Sequence, residues 1–198
     1  LRSWTHESPF HRSLPGKCQV ALLVLTFLAT VPASNVASPK SRPVQFKAHV
    51  IEPKIPGGYS LLVTDMNRDG WLDVIGLSTR MSELAWYENP NWKRHVLVRE
   101  MNALVNMAAH DLDGDGFPEL ALENEFSMVA AKSQGLVWLL KHQADPRDLW
   151  KPSKIDALIT SHHVAWADID GDGKKELINA PLIGPKALAP KYEDRVPL

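Results

Sequence analysis

From residue 60 onward the apolar side chains fall in short runs separated by polar turns. Leu61-Leu62-Val63, Leu84-Ala85-Trp86-Tyr87, Met107-Ala108-Ala109 and Leu136-Val137-Trp138-Leu139-Leu140 are typical of them. The runs are rich in β-branched and aromatic residues and are bounded by turn formers such as Asn89-Pro90-Asn91 and Asp145-Pro146, as strands are. No window sustains a period of 3.6, so the pattern predicts an all-β chain.

The runs also repeat. Three nonapeptides align: Asp65 to Asp73 (DMNRDGWLD), Asp111 to Glu119 (DLDGDGFPE) and Asp168 to Glu176 (DIDGDGKKE), their starts 46 and 57 residues apart. Each follows a short apolar run and precedes another, Leu72-Asp73-Val74-Ile75, Glu119-Leu120-Ala121-Leu122 and Glu176-Leu177-Ile178. Trp86 and Trp138 then recur, followed by Trp92 and Trp150. The unit is therefore strand, acidic loop, strand, loop, strand, turn, strand. Four short strands in such a length make a propeller blade; the repeats of a β-solenoid are shorter. About two to three blades of a β-propeller are expected over residues 48–198, and the chain is read as a piece of a longer one, since it opens on Leu1 and its first Met is Met66.

The acidic loops carry the chemistry. Positions 1, 3 and 5 are Asp or Asn, position 6 is Gly and position 9 is Asp or Glu. Alternate side chains in a tight turn converge on one centre, and glycine supplies the positive φ that lets the chain wrap it. The expected ligands are Asp65, Asn67, Asp69, Asp73 and the Trp71 carbonyl in the first loop. They are Asp111, Asp113, Asp115, Glu119 and the Phe117 carbonyl in the second, and Asp168, Asp170, Asp172, Glu176 and the Lys174 carbonyl in the third. All-oxygen, flexible sites suit Ca²⁺, about three ions in all, rather than zinc or magnesium. An EF-hand would place its bidentate Glu at position 12, where this chain has Gly76, Leu122 and Asn179. Charge sharpens the point: outside residues 1–33 there are 22 acidic side chains, and 11 of them lie in these loops. Carboxylates crowded in this way repel one another unless a cation is shared. Asn67 and Arg68 soften the pattern in the first loop.

On these loops and their flanking runs, over about residues 48–184, the chain resembles the FG-GAP/VCBS repeat family, which includes the calcium loops of integrin α-subunit propellers. The resemblance implies a propeller whose acidic loop joins the first two strands of each blade, with calcium rigidifying the turn.

Ahead of the repeats, Arg2, Arg12 and Lys17 precede the apolar stretch Val20–Val31. Small residues follow, with Ala33 and then Ala37 as cleavage candidates, the layout of a secretory leader. The stretch is shorter than the about 20 residues of a membrane span, so a cleaved leader over 1–33 is favoured over an anchor. Residues 34–47, rich in Pro, Ser and Lys, read as a flexible linker. Secretion to an extracellular or periplasmic space is expected, with no stable membrane span once the leader is gone. Cys18 lies within the leader, leaving no disulfide to stabilise the remainder. A net charge of −1 gives no electrostatic footprint for nucleic acid.

No nucleophile elbow, P-loop or zinc motif is present. His110 and the His162-His163 pair, with Glu123 or Glu125, are the residues an acid–base site on a sugar would use, though histidines at strand starts are more often packing groups. Trp86, Tyr87, Trp92, Trp138 and Trp150 recur in apparent register and are expected to fill the space between blades. The leading expectation is a non-catalytic module for a protein or glycan ligand; the alternative is a carbohydrate-active lyase or dehydratase domain on the same propeller. Fold alone does not choose between them.

Overall fold

The computed structural model describes residues 43–196. The leader assigned to 1–33 and most of the linker lie outside them. Residues Lys47–Leu198 form one compact unit, built from ten strands with a single short 3-10 turn at Ala130–Lys132. No helix among the described residues is long and apolar enough to cross a membrane.

The strands make two four-stranded antiparallel sheets and the start of a third. The first sheet runs β1 (Ser60–Thr64), β2 (Asp73–Leu77), β3 (Glu83–Glu88), β4 (Lys93–Arg99), each hydrogen-bonded to the next in sequence. The second repeats that order in β5 (Asn106–His110), β6 (Glu119–Asn124), β7 (Leu136–Lys141) and β8 (Lys151–Ala157). The third contains β9 (Ser161–Ala167) and β10 (Glu176–Pro181). Up-and-down order follows from short connections, which can only return a strand antiparallel to its neighbour. Each acidic nonapeptide joins the first two strands of its sheet.

The sheets pack face to face through their alternate side chains. Ile75, Leu84 and Trp86 of the first meet Met107, Leu120, Leu122 and Leu140 of the second in the main core. A smaller cluster joins Ala121 and Val137 on the second sheet's opposite face to Val164, with Trp166 and Leu177 packed against it. The period-two alternation of a strand divides β6 in this way, Leu120 and Leu122 one way and Ala121 the other. The first strands also lie together, β5 packing against both β1 and β9. Blade-like sheets stacked in sequence with their first strands adjacent are the arrangement of a partial β-propeller. The outermost strand of the second sheet, β8, is exposed along its whole length.

The aromatic register departs from expectation. Val74 pairs with Tyr87 in the first sheet and Leu120, at the matching place after its loop, pairs with Leu140 in the second. Trp86 therefore corresponds to Leu139, and Trp138 to Ala85. One residue along a strand turns a side chain to the other face, so the two tryptophans do not occupy equivalent gaps. Trp86 points forward into the core, fully buried, while Trp138 points back and packs partly buried against the same cluster. Trp150 is also buried there, its indole donating to the Pro146 carbonyl at 2.8 Å.

Candidate metal centre

The three loops share one set of local hydrogen bonds. The position-6 amide donates to the position-1 carboxylate at 2.9 Å in every case: Gly70 to Asp65, Gly116 to Asp111, Gly173 to Asp168. The position-7 amide of Trp71, Phe117 or Lys174 donates at 2.8 Å to Asp69, Asp115 or Asp172. The position-5 amide donates to position 3, at 3.1 Å for Asp69 on Asn67, 3.3 Å for Asp115 on Asp113 and 3.1 Å for Asp172 on Asp170. The position-2 amides of Met66, Leu112 and Ile169 reach back to Asp73, Glu119 and Glu176 at 2.8–2.9 Å. Asp and Asn side chains bond nearby backbone amides in turns of this kind. The effect is to tie each carboxylate to the chain through one or two amides and hold its remaining lone pairs around the turn.

The loops differ in what converges. In the second, one oxygen each of Asp111, Asp113 and Asp115 lies within 4.8 Å of the others. In the third, Asp168, Asp170 and Glu176 do the same. The first has no such carboxylate triad among the described residues. Asn67 there donates to Asp69 at 3.0 Å and to Glu88 at 2.9 Å, and both oxygens of the fully buried Asp73 already accept amides, from Met66 and Asn89. Burial pushes the Asp73 carboxyl above its ordinary value, opposed by those two amides. Glu88 is held down to about 2, chiefly by its bond to the Arg147 guanidinium from the next sheet.

The donor set of the second and third loops fits a hard divalent cation: oxygen ligands only, on a flexible turn. Glu119 also faces the second loop, 2% exposed, and its Oε1 makes no hydrogen bond and has the Lys141 ammonium 3.3 Å away as its counter-charge. A buried carboxylate is costly unless its charge is balanced, and a lysine or a metal ion can balance it. Asp111, Asp113, Asp115 and Glu119, and likewise Asp168, Asp170, Asp172 and Glu176, would hold the ion, with the Phe117 and Lys174 carbonyls as further donors. Asp65, Asn67, Asp69, Asp73 and the Trp71 carbonyl form the weaker set.

Position 4 carries a feature the spacing did not reveal. Gly114 and Gly171 sit there at φ 76° and 80°, and Arg68 sits there at φ 60° in the first loop. A side chain in that region costs about 1 kcal/mol. Arg68 gains by reaching into the second loop: it donates to the Asp115 carbonyl at 2.6 Å and lies 5.1 Å from the Phe117 ring centre. Arg68→Ala keeps the strain and loses the contacts, whereas Arg68→Gly loses both. The glycine variant is therefore expected to be more stable than the alanine variant by about 1 kcal/mol, read from denaturant midpoints. Equal midpoints would remove the strain argument.

The remaining sequence candidates are scattered. His110 lies 5.8 Å from Trp166, ring to ring, as a packing group. Glu123 is wholly buried and bonded to Ser161. His162 touches the Tyr59 hydroxyl at 2.5 Å and packs on Phe126; burial, and then the charge of His163, lower its pKa.

An all-β stack of meander sheets, each opening on an acidic turn, defines a repeat protein of the blade-forming class. Residues 65–122 match the family model described as FG-GAP-like repeat, and over that stretch the chain is similar to the repeats of that family. The match runs from the first acidic loop through most of β6. No curated protein matches the chain.

Proposed function

We propose that this is a secreted, calcium-stabilised β-propeller module that presents its loops to a protein or glycan ligand, with the metal structural rather than catalytic. The observation that carries the reading is the hydrogen-bond scheme common to the three loops, which leaves carboxylate oxygens gathered in two of them. An ion bound there ties the first two strands of a sheet together at their shared end. Secretion is supported by the leader-like pattern of residues 1–33; calcium modules outside the cell can use affinities of about 10⁻⁴ to 10⁻³ M.

Calorimetric titration of the full chain with calcium, together with melting in calcium and in chelator, tests the reading. About three equivalents and a lower melting temperature in chelator are expected. At a calcium concentration 100 times the dissociation constant, each site adds about 2.7 kcal/mol to stability. No uptake of calcium, with melting indifferent to chelator, would sink it.

One contact favours a carbohydrate-active enzyme as the second reading. The Tyr59 hydroxyl, just ahead of β1, and the His162 imidazole of β9 meet at hydrogen-bond distance, two groups of the kind that transfer protons in acid–base catalysis. Formation of unsaturated products from acidic polysaccharides by the wild type, lost in His162→Ala, would move the assignment there.

A further inference from the structure

The end of each sheet's third strand lies beside the acidic loop, and the two complete sheets place opposite charges there. By strand pairing, Glu88 at the end of β3 corresponds to Lys141 at the end of β7. Glu88 contacts the position-3 residue Asn67. Lys141 contacts the position-3 residue Asp113 and, at 3.3 Å, Oε1 of the position-9 residue Glu119. The loop that has an amide at position 3 has a carboxylate beside it; the loop that has a carboxylate there has an ammonium group.

We propose that Lys141 is a built-in counter-cation of the second loop, which a divalent ion must displace before it can draw on both Asp113 and Glu119. This rests on the reading of the loops as calcium sites. The otherwise unpartnered Glu119 oxygen faces the lysine rather than solvent. The electrostatic need of four carboxylates is thus partly met by the chain itself. In the third loop, among the described residues, no lysine or arginine makes a salt bridge to Asp168, Asp170, Asp172 or Glu176. The second loop therefore keeps its shape with less help from metal, and binds calcium more weakly than it would without Lys141.

Lys141 is half exposed, so its replacement leaves the core untouched. Calorimetric titrations of the full chain compare wild type, Lys141→Gln, Lys141→Arg and the double variant Asp111→Asn/Lys141→Gln. Lys141→Gln is expected to tighten one site by about tenfold at low salt, with a smaller gain at 0.5 M salt, on the order of screening at that ionic strength. Lys141→Arg keeps a cation and should titrate as wild type. The double variant should lose the gain, which assigns it to the second loop. If calcium binds but Lys141→Gln titrates as wild type, the counter-cation role is wrong and the metal reading stands. If no variant binds calcium at all, both fall together.

Discussion

Replacing Gly135 by alanine is expected to destabilise the protein by about 3 kcal/mol or more. Gly135 lies just before β7 at φ 55°, and a Cβ built on it overlaps the Leu158 carbonyl oxygen and comes within 2.9 Å of the Ser161 amide nitrogen. These are backbone atoms and cannot rotate aside. The same carbonyl region is tied to the glycine, whose own carbonyl accepts the Leu158 amide at 3.0 Å. An added methyl group forces the turn between β8 and β9 away from the second sheet, and the entry to β9 moves with it. Gly171→Ala is the control. Its φ of 80° is just as unfavourable for alanine, but nothing lies within 4 Å of the added carbon, so a cost of only about 1 kcal/mol is expected. Urea denaturation of the two variants compares them, and equal midpoints would show that steric overlap at Gly135 is relieved without loss.

The second large effect is one of pH. Glu123 is fully buried on β6, and burial pushes its carboxyl from 4.5 up to about 7, against a partial pull downward from the Ser161 hydroxyl. Ser161 also lies 2.6 Å from Oδ1 of Asn179, whose amide donates to Asp156 at 3.0 Å. One hydroxyl hydrogen cannot serve both Glu123 and Asn179. With the proton on Glu123, the carboxyl donates to Ser161, the hydroxyl to Asn179 and the amide to Asp156, and every hydrogen has a place.

The sign follows from linkage. The unfolded chain releases this proton near the ordinary carboxylate value and the folded chain near 7, so the folded state binds more protons between them. The contribution is intact below about 4.5, declines through that window and is lost above 7, a change of about 3 kcal/mol. Glu123→Gln is always neutral and keeps a donor for Ser161. It should match wild type near pH 4.5 and exceed it by up to about 3 kcal/mol at pH 8.5, roughly 6–12 °C in melting temperature. The acidic loops titrate alike in both proteins and cancel in the difference. A variant-minus-wild-type difference that does not change with pH would refute the buried-proton account.

What the sequence revealed and what it hid divide by distance along the chain. The loops were legible because the amide-to-carboxylate bonds that set the turn within each nonapeptide are local: Asp111 to Gly116, Glu119 to Leu112 and their counterparts all close within seven residues. Strand existence was legible for the same reason, since apolar alternation is a near-neighbour signal. The strand register was not. The connection between β2 and β3 is much shorter than that between β6 and β7, so matching Trp86 to Trp138 by residue type aligned the wrong positions. Interactions between sheets were hidden altogether. Arg68 finds the Asp115 carbonyl 47 residues away and Arg147 finds Glu88 59 residues away, and only stacking of the sheets creates those pairs. Glu123 looked like a candidate for acid–base work, whereas its setting makes it a buried link between the second and third sheets.

The exposed outer strand β8 has a bearing on how the protein behaves in a crowded solution. A bare sheet edge offers unpaired amides and carbonyls to any passing strand, which is how aggregates seed. Here an incoming strand meets Pro152, which has no amide to give, flanked by the charged side chains of Lys151, Lys154 and Asp156. Lysine and proline on an edge raise the cost of adding a strand without weakening the sheet on its inner side. The outer margin of the second sheet is in this sense sealed against its own kind.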